Sequence, residues 1–368
     1  MNRVEEIKIQ VKERARTWVL NHLCLERSGA HLEPLPWMTQ QIKSDLAPFL
    51  TSGAAKEKLD RIWNQQMASG WPLFRVTIKN NQLSLISNNH RNLRLSYLRS
   101  GFRALLNWIK VPDVDFLIVA QDSLNGVEPE IPLFTFSNNP KLSTNMVLMP
   151  DFEVLSGRNW KYLRQIYRAN RKYPWPNRRE QCVWRGGISK DCYLSSGFEK
   201  MVRTKAVTLS LENPLLLNAK FVASDSIPNH HETYAQYPSY FGNQITIEDH
   251  LEYKYQLLID GNSSSYSRAY WQLFSNSLIF KQQSDFIQWY WSDLKPYVHY
   301  IPVKEDLSDL ISSIEWARDN DTEALQIALN ARAFGDQNLS FTKVFQYFYL
   351  LLEQYSRLPG QSQGAQNH

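Results

Sequence analysis

The stretch Leu257–Gln282 reads LLIDGNSSSYSRAYWQLFSNSLIFKQ. An apolar run stops at Asp260, six small or polar residues follow from Gly261 to Tyr266, a helical pattern starts near Ser267, and a second apolar run, SLIF, closes the unit. Strand, turn, helix and strand in that order make one repeat of an alternating α/β protein. A turn in that position gathers backbone N–H groups and the positive end of a helix at one point, which is an anion site. It also lies beyond the carboxyl end of a strand, where ligands bind in doubly wound sheets. Arg268 adds a charge-assisted, potentially bidentate contact to a phosphate. The turn lacks GxxxxGK[ST] and GxGxxG, which argues against a triphosphate P-loop and a dehydrogenase fingerprint.

Outward from this unit the same alternation recurs. QCVWRGG reads as a strand entering a Gly-Gly turn, EYKYQLLID and YVHYIPV as strands, and LSDLISSIEWARDN as a helix capped by Asp306 or Ser308. TEALQIALNARAF follows as a helix that stops at Gly335, and TKVFQYFYLLLEQYS is a last, one-sided apolar helix. Upstream, the first seventy residues carry helix formers in long runs. LFRVTIKNNQLSLIS alternates around Asn80-Asn81 as a hairpin, YLRSGFRALLNWI is helical, and VDFLIVAQDS and PLFTFSNN are strands that end in polar loops. Strands that are apolar throughout belong in parallel sheets covered on both faces. The prolines of YPWPN, Pro174 and Pro176, mark a domain boundary.

At 368 residues the chain is too long for one ordinary core, so two domains are expected. With 43% hydrophobic and 21% charged residues it is globular, and a net charge of +5 suits an anionic ligand or an anionic membrane surface better than nucleic acid. The 12 Trp, 18 Tyr and 17 Phe fit either ring-lined sugar or base sites or simply a large aromatic core. Three cysteines, Cys24, Cys182 and Cys192, are too few for a disulfide framework and point to a reducing compartment. The first residues show no secretory signal, and no apolar run approaches the ~20 residues of a membrane span. A cytoplasmic protein is expected, possible peripheral contact with the inner membrane face included.

Two features qualify the charge pattern. Arg164, Arg168, Arg171 and Lys172 fall at helical spacing and read either as a solvated face or as an anion-binding one. The second Gly-rich turn, Arg185-Gly186-Gly187, again follows a strand and again carries an arginine. Two such turns in one half of the chain suit a diphosphate, and a nucleotide diphosphate on a two-unit α/β protein suggests a glycosyltransferase of the GT-B type.

The collinear motifs VDFLIVAQDS, PLFTFSN, YPWP, CVWRGGISK, EYKYQLLIDGNSSSYSRAYWQLFSNSLIFKQ and WSDLKPYVHYIPVKEDLSDL resemble glycosyltransferase family 90, from about Trp71 to Tyr355. That family holds protein O-glucosyltransferases, capsule xylosyltransferases and bacterial lipopolysaccharide core glycosyltransferases. The resemblance implies a GT-B fold, a UDP-sugar donor, inversion at the anomeric carbon and no metal or other cofactor. It implies Asp122 as general base; Asp151 and Glu153 in MPDFEV, which also follow a strand-rich region, are the next carboxylates to consider. Arg185 and Arg268 would hold the donor diphosphate, with Gly186, Gly187 and Ser265 beside them. Gly261, Asn262, Ser263, Ser264, Glu305 and Asp306 are further donor-side candidates. Gly187 stands where many members of the family have serine, so a backbone N–H would replace a hydroxyl there.

The expected architecture is α/β, with two Rossmann-like domains facing a cleft: a helical segment at 1–70, an acceptor-side domain at 71–173, a donor domain at 174–340, a C-terminal helix at 341–357 and a disordered tail at 358–368. The expected reaction moves a hexose or pentose, glucose or xylose foremost, from UDP to a lipopolysaccharide-type glycolipid. The alternatives are a protein Ser/Thr acceptor and a non-catalytic nucleotide- or anion-binding protein. Lys254 reads as a carboxylate's partner in the fold, Asp113 and Asp115 as turn residues, and Tyr297, His299 and Tyr300 as packing along a strand. Eight scattered histidines show no metal spacing.

Overall fold

The computed structural model describes residues 3–26, 33–69, 72–87, 94–122, 128–189, 193–194, 196–223 and 230–361. Contacts divide the chain into two units, one of residues 1–160, 285–293 and 338–368, the other of residues 161–284 and 294–337.

In the first unit, alternation sets the sheet. Strand β1 (Leu73–Lys79) buries Phe74, Val76 and Ile78 and turns Lys79 outward. Asn80 and Asn81 both have positive φ, which Asn tolerates, and return the chain into antiparallel β2 (Gln82–Ser87) as expected. β1 also pairs antiparallel with β3 (Val114–Val119), and β3, β4 (Leu133–Thr135) and β5 (Met146–Leu148) run parallel, giving the order β2-β1-β3-β4-β5. The first sheet is therefore mixed rather than the doubly wound one expected, and no helix joins β4 to β5. The helix Phe341–Ser356 covers this sheet: Tyr355 and Phe134 lie edge to face at 5.2 Å, and the Tyr355 hydroxyl donates to the Asp115 carbonyl.

The second unit holds β6 (Arg179–Gly186), β7 (Leu217–Phe221), β8 (Tyr253–Leu258), β9 (Leu278–Gln282) and β10 (Ile301–Val303), all parallel in the order β10-β9-β8-β6-β7. Every residue of β8 and β9 is buried, as the unbroken apolar runs required. The strand order reverses between β6 and β8, the topological switch point of a Rossmann-like sheet.

Four expectations change. YPWPN is a 3-10 turn packed inside the second unit, with Trp175 buried against Tyr255, and the division falls instead within the helix Arg158–Lys172. Tyr297–His299 is a turn, Tyr297 having φ +60°, and only Ile301–Val303 is strand. Gly335 does not stop its helix, which runs from Asp321 to Asn338; it faces the Phe274 ring, which a Cβ would meet at 3.3 Å. The helix Leu310–Asp319 starts after Asp309, not at Asp306 or Ser308.

The beginning of the expected tail is packed. Leu358 is buried, the Pro359 carbonyl accepts from Ala54 N, and Gln361 donates to the Ala54 and Asp115 carbonyls. Residues 362–368 lie outside the described ones. No helix of the described residues is long and apolar enough to cross a membrane.

Gly101 offers a stability test. It sits inside the helix Arg94–Trp108, where alanine would ordinarily gain up to about 1 kcal/mol of helix propensity. Its Cβ would lie 2.6 Å from the Leu155 carbonyl oxygen, a backbone atom that cannot swing aside. Gly101→Ala is expected to lose about 1–3 kcal/mol in denaturant unfolding, reversing the sign of the propensity.

Candidate functional site

The switch point places the Gly186-Gly187 and Asp260–Ser265 turns side by side at the ends of β6 and β8. Arg203, from the helix Val202–Glu212, joins them: Nε donates to the Asp260 carbonyl at 3.0 Å and Nη1 to the Gly187 carbonyl at 2.8 Å. Its guanidinium lies over the Trp184 indole, 5.7 Å from the ring centre. Gly261 makes room for it, since a Cβ there would come within 2.6 Å of Nη2.

Asp260 holds the turn from inside. Its amide donates to Gln282 Oε1, its Oδ1 accepts from Ser265 N at 3.1 Å and its Oδ2 from the Ser284 hydroxyl at 2.6 Å. Burial pushes its pKa up, against the pull of the Lys281 charge; burial pushes Lys281 down, against the pull of Asp260. Each charge thus opposes the effect of burial on the other. The Ser265 hydroxyl donates to the Ile259 carbonyl and does not cap the helix Tyr266–Leu273. Ser263 and Ser264 are buried, Ser263 donating to the Tyr266 hydroxyl at 3.0 Å, and Asn262 is partly exposed.

Arg268 is the third residue of that helix. Nη2 donates to the Arg185 carbonyl, while Nη1 is buried without a partner. Burial, reinforced by the charge of Arg203, lowers its pKa to about 10. An unpaired buried charged donor costs more than the roughly 1–3 kcal/mol of a neutral one. An oxyanion at Nη1 would relieve both that cost and the repulsion from Arg203. The Ser189 hydroxyl, after the second turn, is likewise buried without a partner.

The other expected residues fall as follows. Arg185 donates through Nη1 to the Trp184 and Asn218 carbonyls and through Nη2 to Asn218 Oδ1, so its fork is engaged by the sheet and Nε is its unpartnered buried donor. Gly186 lies against the Trp184 indole, 2.4 Å from where a Cβ would stand, whereas a Cβ on Gly187 would meet nothing within 4 Å. Glu305 and Asp306 are exposed; the Glu305 carbonyl accepts from Gln282, and Asp306 accepts from Ser308 N. Lys254 pairs with Glu180 and Asp321 at 2.8 and 2.7 Å, as expected of a structural cation.

In the first unit, Asp122 follows β3, is half-buried and forms an ion pair with Arg94. Arg94 also donates to the Ala120 carbonyl and lies over the Phe152 ring. Asp151 caps the turn Phe152–Leu155, accepting from Glu153 N and Val154 N, and burial raises its pKa to about 7; Glu153 pairs with Arg158. Asp113 accepts from Asn80 N, but Asp115 lies on β3 and pairs with Arg75. Lys161, Arg164, Arg168 and Arg171 form an exposed row, whereas Arg178 is buried. Its fork donates to the Ser275 and Asn276 carbonyls and to Asn170 Oδ1. Among the described residues no group of three or more His, Cys, Asp or Glu is placed to hold a metal ion.

Sequence reasoning passed over Arg203, Asp260 and His250. Nothing in VRTKAV separates Arg203 from any helix-surface arginine. His250 does carry a signal, the capping box of Thr246 and Asp249 just before it. Its Nδ1 donates to the Thr246 carbonyl at 2.8 Å, which leaves Nε2 as an unpartnered, buried acceptor. Burial, with the charges of Arg268 and Arg185, lowers its pKa to about 3.

Comparison with known proteins gives one family. The model described as glycosyl transferase family 90 matches residues 32–363, so the match begins before Trp71 and takes in the helices Pro36–Leu46 and Lys56–Ser69. Protein O-glucosyltransferase 2 of Danio rerio is 27% identical over 343 residues, 91% of this chain and 66% of that protein. Protein O-glucosyltransferase 3 of Homo sapiens is 26% identical over 265 residues, 69% of this chain and 48% of that protein. Protein O-glucosyltransferase 1 of Homo sapiens is 26% identical over 263 residues, 67% of this chain and 63% of that protein. The chain spans about half to two thirds of the length of these relatives.

His250 predicts an acid sensitivity. Because its folded pKa lies below the 6.5 of a free imidazole, the unfolded chain binds a proton that the native chain refuses. Its contribution is whole above about pH 6.5 and is lost as pH falls toward 3, by about 1.4 kcal/mol per unit. Between pH 7.5 and 4.5 the wild type should lose about 2–3 kcal/mol more stability than His250→Gln, read by denaturant unfolding at both values. Equal losses would show that His250 titrates as a free imidazole does.

Proposed function

The chain belongs to glycosyl transferase family 90, and we propose that it transfers a sugar, glucose foremost, from a UDP-sugar to a hydroxyl group of a protein. The observation that carries the donor half of this reading is the unpartnered, buried Nη1 of Arg268 at the switch point of a parallel sheet. The names of the relatives support a protein acceptor over the lipopolysaccharide-type glycolipid expected at first.

In this reading the acceptor oxygen attacks the anomeric carbon as the bond from that carbon to the diphosphate oxygen breaks, which inverts the centre. Asp122 takes the acceptor's proton, and its pairing with Arg94 orients the carboxylate. The charge that appears on the leaving diphosphate is met by Arg268, by the first turn of the helix Tyr266–Leu273 and by the backbone N–H groups after β6. Arg203 and Asp260 hold the two turns still while this happens. Arg185 acts chiefly by positioning, through the carbonyl it offers to Arg268. Asp151 is committed to its cap, so the proton falls to Asp122.

Two substitutions separate the roles. Arg268→Ala should weaken UDP binding in calorimetry by about 10- to 150-fold, the range of a lost charge-assisted contact worth roughly 1.5–3 kcal/mol. Unchanged affinity in a folded variant would remove Arg268 from the donor site. Asp122→Asn should lower turnover by roughly 10²–10⁴-fold and leave UDP affinity nearly unaltered.

Because the leaving-group charge is met by side chains, turnover should survive EDTA. A loss that manganese restores would place a metal in the reaction. UDP release measured over a panel of sugar donors, with protein and glycolipid acceptors in parallel, decides the donor and the acceptor.

A further inference from the structure

The helix Arg3–Val19 is turned with its polar side toward the protein. Glu13, only 1% exposed, pairs with Arg99 and Arg103; Arg16 donates to Ser96 and Ser100; and Thr17 donates to the Ser100 carbonyl. Asn21, just beyond, donates to the Ala104 carbonyl. All these partners lie on the helix Arg94–Trp108. The apolar residues are left outside: Ile7 is 52% exposed, Val11 60% and Trp18 54%. With Arg14 they recur at i, i+4, i+7 and i+11, one face of the helix. The following π-helical turn, Leu20–Cys24, adds Leu23 at 51% exposure. Lys8, Lys12 and Arg14 flank or punctuate the row, all exposed.

An ordinary surface helix has the opposite arrangement, because its apolar stripe supplies the packing energy. Here ion pairs to the buried Glu13 carboxylate and hydrogen bonds hold the helix, and among the described residues nothing covers the stripe. We propose that this face is an interfacial membrane contact, in which Ile7, Val11, Trp18 and Leu23 enter the headgroup region of an anionic bilayer and Lys8, Lys12 and Arg14 meet its lipid phosphates.

The chemistry and the size of the face favour a bilayer over a second copy of the chain. Four side chains bury a few hundred Å² at most, far below the roughly 1,200–2,000 Å² of a stable protein interface. Reversible attachment to an anionic surface needs less area, since each basic side chain at the surface strengthens binding about fivefold. A tryptophan among aliphatic side chains, with lysines on the same helix, is the composition such a contact uses.

The test is flotation of the full chain with vesicles of phosphatidylcholine alone and of phosphatidylcholine with 30% phosphatidylglycerol, at low and high salt. The expected result is binding to the anionic vesicles that weakens with salt and falls at least about tenfold in the triple variant Ile7→Ser, Val11→Ser, Trp18→Ser. These are exposed positions, so the variant should keep the wild-type unfolding midpoint and UDP affinity. Light scattering of both proteins over a range of concentrations is the second measurement. Absence of binding to either vesicle, or binding that the triple variant retains, overturns the proposal. A concentration-dependent dimer that the triple variant abolishes overturns it in favour of self-association. If the triple variant is destabilised, Lys8→Glu with Lys12→Glu tests the charge half alone, and undiminished binding then counts against the proposal.

Discussion

One guanidinium fixes the part of the second unit where chemistry is expected. Arg203 donates to the carbonyls of Asp260 and Gly187, and these belong to the two turns that diverge at the switch point. With the bond from Arg268 to the Arg185 carbonyl, that bridge ties the two turns to each other. Asp260 completes the arrangement by holding Ser265 and Ser284 with one carboxylate. The result is that the start of the helix Tyr266–Leu273, and with it Arg268, is set relative to β6 as well as to β8. A site that must match a transition state gains from such a frame, because positioning fixed before the ligand arrives need not be made good from binding energy.

The same frame explains why so much local charge is tolerated. Arg268 lies near Arg203, the buried Asp260 faces both Arg203 and Lys281, and burial works against Arg268 and Lys281. Folding alone does not recover that cost. An anionic ligand would, and that is what favours the proposed reading of this charge as a preparation for binding.

Legibility in the sequence followed the range of the signal. The hairpin at Asn80-Asn81, the strands β6, β8 and β9 and the turn that begins at Gly261 are local patterns, and each stands where the pattern placed it, whereas β7 carried no expectation and YVHYIPV is strand only at Ile301–Val303. The family was legible for the same reason, since its motifs are long and collinear. What escaped was set by tertiary contact. Arg203 looks like any arginine on a helix until the turns it bridges are known. The fork of Arg185 is engaged by a carbonyl on β7, 33 residues on in the chain. Gly335 reads as a stop because glycine usually ends a helix, yet here it admits a phenylalanine ring. Pro174 and Pro176 break a helix without separating domains, because Trp175 between them is buried.

The first unit is assembled from distant pieces of chain: its sheet lies early, but the helix Phe341–Ser356 that covers it is translated after the whole of the second unit. Until then Phe102, Phe116 and Phe134 lack the rings of Phe348 and Tyr355 that close over them. During synthesis the second unit can fold while the first is still open, the reverse of the usual N-terminal-first order. Closing a loop of that length adds little to the equilibrium, since its entropy grows only with the logarithm of length. Its weight falls on kinetics: the nascent protein carries an uncapped aromatic sheet for most of its elongation, and that interval sets its exposure to chaperones and to aggregation.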